Sequence, residues 1–333
     1  AVAVVGMAVV ASAPAAWVLA LGILVAGGST GLASPPMGEA VAHSIRNSLQ
    51  DRANALINCG TSVGVALSGP AALLLTGQWR IAWAAFALVG LAVLAWNAVV
   101  MPCEAGTDQD EREDNEPDEE KAEADNSLRK PRLSFSYLMG ARVRSRSLPL
   151  FVAAFGLGFA SAVYWTFSRD LVVQSGGLGQ TGSTLFWTVI GISGLAGGAA
   201  GDLVRRFGLT VVLRGALLSM AASIALLAVA SGVLPLAYTS AALFGSTYIM
   251  LTGVVLIWSV SVFRERPSAG LGAGFLLIAV GQVVGSPIAG ALAGMTSPAT
   301  AFILFAVVAL LTACIRPHTR DTGASAPGSD TQT

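Results

Sequence analysis

The sequence predicts an all-α integral membrane protein, and three observations carry that prediction. Of its 333 residues, 54% are hydrophobic and 11% charged, whereas ordinary soluble domains carry about 25% charged residues. The apolar residues gather into ten stretches. Most approach the roughly twenty residues a helix needs to cross hydrocarbon, where backbone polar groups must be satisfied within their own segment. The charges are segregated as well, with 20 of the 38 falling between Glu104 and Arg146. Lys+Arg and Asp+Glu stand at 19 each, so net charge offers nucleic acid no footing. Composition therefore excludes a soluble enzyme, a disordered chain and a nucleic-acid binder.

In chain order the stretches cover residues 1–11, 15–41, 53–75, 81–101, 148–173, 184–201, 210–230, 235–262, 270–294 and 298–315. The first is half a span and opens without a Met or a basic leader. It reads as a helix already under way, with more chain expected upstream. Short loops rich in Arg and Lys stay cytoplasmic. With the 104–146 window placed inside, alternating spans put 17 of the 19 basic residues on the cytoplasmic side and only Arg80 and Arg169 outside. Shifting the parity by one span destroys that asymmetry.

The charged window has two halves. Residues 104–125 hold twelve acids and two bases, too little apolar surface to fold alone, and read as a disordered linker. Residues 129–146 mix six bases with Leu, Phe, Tyr and Met and are expected to lie along the inner leaflet.

An internal repeat is visible across the linker. Gly60-x3-Gly64 precedes Pro70, Gly281-x3-Gly285 precedes Pro287, and the glycine pairs stand 221 residues apart. Such self-similarity marks many transporters. The same offset places the partner of the fifth stretch roughly seventy residues before Ala1, which is two spans and a loop. The expected architecture is therefore twelve spans in two six-helix bundles, about ten of which are present. Residues 1–102 are the incomplete N-terminal bundle (its helices three to six) and 103–147 the charged cytoplasmic linker. The C-terminal six-helix bundle follows over 148–316, and a disordered cytoplasmic tail over 317–333.

Gly198, Asp202, Arg205 and Arg206 lie in the segment GGAAGDLVRRFG after the sixth stretch. An acid at a span's cytoplasmic end with two bases one turn on could latch neighbouring helices in one state and release them in another. Here the chain resembles the major facilitator superfamily, whose loop motif approximates G-x-x-x-D-R-x-G-R-R. Gly198 and Asp202 match its spacing, while Leu203 stands where a base is favoured and the last glycine is displaced. In the third stretch, Gly60 followed after eight residues by Gly69-Pro70 resembles the antiporter motif G-x8-G-P-x-x-G-G of drug and metabolite exporters. Small residues permit close helix approach and Pro permits a bend. Leu73 and Leu74 replace the trailing glycines.

The resemblance implies a central cavity lined by the family's first, fourth, seventh and tenth spans, three of them visible. The fourth offers Thr30 and Ser34, the seventh Ser161, Tyr164 and Trp165, and the tenth Tyr248 and Thr252 on one face. Gln282 on the eleventh span is a further candidate for the substrate cavity; it and Asn58 on the fifth sit at corresponding ends of the repeat, where bonding between helices is the simpler role for each. Glu39, near the cytoplasmic end of the fourth span, is the one acid within the expected bilayer zone and the candidate for proton coupling.

Other chemistry finds no support in the sequence. Cys59, Cys103 and Cys314 are odd in number and unspaced for a disulfide framework or a metal site. GLGQTG at 177–182 lies in an external turn, not in a strand-turn-helix dinucleotide site. Lys121 and Lys130, the only lysines, follow no glycine-rich phosphate loop. Neither cofactor nor metal is expected, and no enzyme. The expected function is secondary active transport of a small organic solute by alternating access, proton-coupled and outward, by a monomer in lipid, in the plasma membrane of a bacterium. Two alternatives stay open: an uncoupled facilitator or importer of a sugar-like or organic-acid solute, and a receptor or scaffold that moves nothing.

Overall fold

Long apolar runs leave a backbone in hydrocarbon one way to satisfy itself, and each run becomes a helix. The computed structural model describes residues 1–75, 77–100, 141–175, 179–263 and 267–317. Its helices are α1 (Val2–Ser12), α2 (Ala16–Ser44), α3 (Asn47–Leu74), α4 (Trp79–Val100), α5 (Ala141–Gln174), α6 (Gln180–Gly194), α7 (Ala200–Phe207), α8 (Leu209–Ala230), α9 (Leu234–Val262), α10 (Pro267–Met295) and α11 (Pro298–Ala313). A 3-10 turn, Leu195–Ala199, joins α6 to α7. Among the described residues, six segments have the length and hydropathy of a membrane span: Trp79–Val100, Ser147–Gln174, Thr181–Phe207, Leu209–Ala230, Leu234–Val262 and Ala269–Met295. The linker up to residue 140 and the tail from 318 lie outside the described residues.

Several boundaries differ from the sequence expectation, two of them instructively. α5 begins at Ala141, not at 148, because the start of the apolar run marks where lipid begins rather than where the helix does. The segment holding Asp202, Arg205 and Arg206 is not a loop but the helix α7, and the chain turns only at Gly208, whose φ of 81° suits glycine.

The helices α5 to α11 pack around a core that includes Leu157, Phe186, Leu217, Met220, Phe244 and Phe302, all fully buried. α5 and α10 touch backbone to backbone. A methyl at Gly158 would overlap the Ile278 carbonyl, and one at Gly281 would overlap the Phe155 carbonyl. Phe159 then stacks on Phe305 of α11 at 4.9 Å. At the start of α11, Ser297 caps the helix by accepting the Thr300 amide at 3.1 Å.

On the other side of the molecule α1 packs on α2 and α4. Gly6 abuts the Ala26 backbone, Gly22 abuts Val10, and Gly90 receives Val4 and Met7. Arg80 at the head of α4 donates to the Ala13 carbonyl at 2.7 Å and pins the α1–α2 turn. Outside that contact face α4 is largely bare: Leu88 is 67% and Trp96 72% exposed, the surface lipid would cover. α3 leaves this group and leans instead on α6 of the other.

Overpacking a buried contact costs about 1–3 kcal/mol. Gly158→Ala should lower the melting temperature of the purified protein. Gly64→Ala, with open space around its Cβ position, should hold or raise it through better helix propensity. Equal melting temperatures for the two would contradict the α5–α10 packing.

Candidate functional site

The seam between α3 and α6 is antiparallel and, with the 3-10 turn that follows α6, spans Cys59 to Gly69 of α3. Gly69 lies against Thr184 and Thr188, Ala66 against Gly191, Ser62 against Gly194, and Cys59 against Gly198. Small residues are required here, since a methyl at Gly191 would overlap the Ala66 backbone nitrogen and one at Gly194 the Ser62 hydroxyl. At the α7 end of the seam Arg52 Nε donates to Asp202 Oδ1 at 2.9 Å, and Arg205 pairs with the same carboxylate. Arg206 lies over the Phe207 ring at 5.3 Å.

Midway along the seam the helices converge on a polar layer. Tyr248 sits in the middle of α9, and its hydroxyl accepts from Gln282 Nε2 of α10 at 3.0 Å. The same nitrogen stands 3.5 Å from Ser161 Oγ of α5. Trp165, one turn beyond Ser161, meets Tyr248 edge-on at 5.1 Å and Trp187 of α6 at 5.6 Å. From α3, Asn58 Nδ2 donates to Thr252 Oγ1 at 2.7 Å and to the Ile249 carbonyl at 3.0 Å. Between these bonds lies a small pocket of about 10 Å³, bounded by Ser62, Trp165, Gly191 and Tyr248, about the size of one water. The Ser62 hydroxyl is buried there and makes no hydrogen bond.

A profile of the Major Facilitator Superfamily matches residues 1–276. The chain belongs to that superfamily. Its fold is similar to a crystal structure of a variant of the E. coli fucose:proton symporter, at a TM-score of 0.60 and 14% identity, covering 94% of this chain and 80% of that one. No curated protein sequence matches it significantly. This facilitator is thus a multi-pass membrane protein and a secondary transporter of small molecules, not an enzyme.

The structure brings some of the sequence-selected residues together and separates others. Ser161, Trp165, Tyr248, Thr252 and Gln282 share the polar layer midway along the seam. Tyr164 does not. It is fully buried, stacked on Phe244 at 3.8 Å, with its hydroxyl 2.8 Å from Ser240 Oγ inside the α5–α11 group, so it braces the bundle rather than lining a cavity. One residue's step along α5 turns the side chain by about 100°, which separates Tyr164 from Trp165. Thr30, Ser34 and Glu39 fall on α2, and their side chains lie outside the described residues. Gly69 serves close approach to α6, whereas Gly60 faces open space; Pro70 stands inside α3. Gly198 leaves room for the Cys59 thiol, whose sulfur would lie 3.0 Å from an added Cβ.

Two site residues escaped the sequence reading. Arg52 is the partner of Asp202, and the available signal was opposite charge on the same predicted side. Ser62 lies one turn after Asn58, a spacing that puts both on one face of α3.

The Arg52–Asp202 pair predicts a charge-swap pattern. Asp202→Lys should place three bases together and speed opening of this end of the seam, read in a Cys103→Ser, Cys314→Ser background as faster maleimide labelling of the buried Cys59 thiol. Adding Arg52→Glu should restore most of the slow labelling. No recovery would show that Arg52 and Asp202 do not act as a pair.

Proposed function

We propose that this facilitator moves a small neutral organic solute through the midplane layer, coupled to protons and directed outward, as a monomer in a bacterial plasma membrane. The observation that carries the solute class is the chemistry of the layer: Asn58, Ser62, Ser161, Trp165, Tyr248, Thr252 and Gln282 supply amides, hydroxyls and aromatic rings, and none of these side chains is charged. A few oriented hydrogen-bonding groups among aromatic surfaces suit a neutral solute with a ring and hydroxyl or carbonyl groups. A charged solute would have to leave water with no counter-charge from these residues.

Outward direction is supported by the Gly60-x8-Gly69-Pro70 motif, with Gly69 seated in the seam against Thr184 and Thr188. Proton coupling is supported by Glu39, an acid within the apolar length of α2. A second reading, uncoupled or inward movement of a sugar-like solute, is favoured by the same layer, whose side chains include no carboxylate.

The test is flux by the full-length protein in proteoliposomes, using radiolabelled neutral solutes with an imposed pH gradient and with an uncoupler. Solute flux should be outward and collapse with the uncoupler. Gln282→Ala should lower it about tenfold, equivalent to roughly 1.4 kcal/mol. Glu39→Gln should abolish the proton-driven part and leave solute exchange intact. Flux insensitive to both uncoupler and Glu39→Gln establishes the second reading, and no flux of any solute leaves a receptor or scaffold.

A further inference from the structure

Asn58 stands on α3, outside the spans expected to line the cavity, yet it makes the one midplane side-chain bond described between α3 and α9. Its geometry admits a single assignment of protons. Thr252 Oγ1 donates to the Ile249 carbonyl at 2.8 Å, so it can only accept from Asn58, and the same amide nitrogen also donates to that carbonyl. The Asn58 Nδ2, the Thr252 hydroxyl and the Ile249 carbonyl are thereby paired with one another. The next residue, Cys59, is 6% exposed, with its thiol directed at the Leu195 carbonyl and packed against Gly198. Ser62, one turn further, has a buried hydroxyl without a partner at the edge of the small pocket.

We infer that Asn58 is a positioning residue of the transport cycle: its amide ties α3 to α9 while the cytoplasmic half of the seam is shut, and release of that tie uncovers Cys59. The inference rests on the transporter reading for its purpose but not for its measurement. When α3 draws back from α9, the Asn58 amide and the Thr252 hydroxyl lose each other in a region of low dielectric. Leaving them unpaired is costly, so opening is opposed until water or the hydroxyl or carbonyl of a neutral solute replaces the lost bond. The tie therefore makes opening responsive to what occupies the layer, without Asn58 being part of the α5, α9 and α10 wall.

Cys59 supplies a native reporter. In full-length protein carrying Cys103→Ser and Cys314→Ser, N-ethylmaleimide added from the cytoplasmic side should react slowly with Cys59. Asn58→Ala and Thr252→Val should each raise the rate about fivefold or more, the lower end of usual coupling strengths. Thr252→Ser, which keeps the hydroxyl, should restore the slow rate. Thr188→Cys, beside Gly69 toward the opposite end of the seam, should not become more reactive from outside in the Asn58→Ala background. An unchanged Cys59 rate in both Asn58→Ala and Thr252→Val overturns the inference. So does an equal rise at Thr188→Cys, which would mean general loosening. If labelling follows the expected pattern while no solute moves in the flux assay, the tie stands and the transport reading falls.

Discussion

Close backbone approach between α3 and α6 is the constraint from which the rest of the arrangement follows. Gly69, Gly191, Gly194 and Gly198 remove side chains along one line, so α3 meets α6 and the turn after it, in a different group, from Cys59 to Gly69. Lipid is as apolar as leucine, so hydrophobic burial gives little drive to pair helices in a membrane, and shape and hydrogen bonds decide which pairs form. A smooth seam of small residues is compatible with relative movement, because few interlocking side chains must be withdrawn when the groups rock. The α5–α10 contact uses glycine too, but there Phe159 fills the space beside Gly285 and stacks on Phe305 of the bundle core.

Polar bonds are distributed along this seam at two depths. Arg52 and Asp202 sit at the α7 end of the seam with half or more of each side chain exposed, where an ion pair is screened and worth little on its own. Asn58 and Thr252 sit midway, part-buried. Hydrogen bonds between membrane helices average only about 0.6 kcal/mol, so a tie of this kind biases a state without freezing it. A transporter needs that balance, since each state must be left as readily as it is entered. The fully enclosed Tyr164–Ser240–Ser223 network has a different role. It lies within the α5–α11 group, satisfies its own donors and acceptors, and has no reason to break during rocking.

Much of the fold was legible in the sequence, because hydrocarbon imposes a single rule on backbone polar groups. The helical stretches and their order needed nothing more. The structure's departures came where the rule is silent. Hydropathy locates lipid rather than helix ends, so α5 starts earlier than its apolar run. A Gly-rich segment with charges reads as a loop, although in water-facing positions Asp202 and two arginines are good company on a short helix such as α7. Within the site, residue type on a predicted lining span picked Trp165, Tyr248 and Thr252, while the rotational phase of α5 decided between Trp165 and its neighbour Tyr164. Phase is fixed by packing against Phe244 and Phe302, contacts between distant parts of the chain that no local pattern records. Asn58 and Gln282 were both read as bonding between helices, and each does so.

The central claim is that the two helix groups move about the α3–α6 seam, opening one end as the other closes. Spin labels on the full-length protein would test it most directly, with one pair at the cytoplasmic end on α3 and α7 and a second pair at the opposite end on α3 and α6, measured by pulsed electron resonance across conditions that favour each state. The account predicts two distance populations for each pair, with the cytoplasmic distance lengthening as the opposite one shortens. A single unchanging distance at both ends, or lengthening at both together, would contradict it.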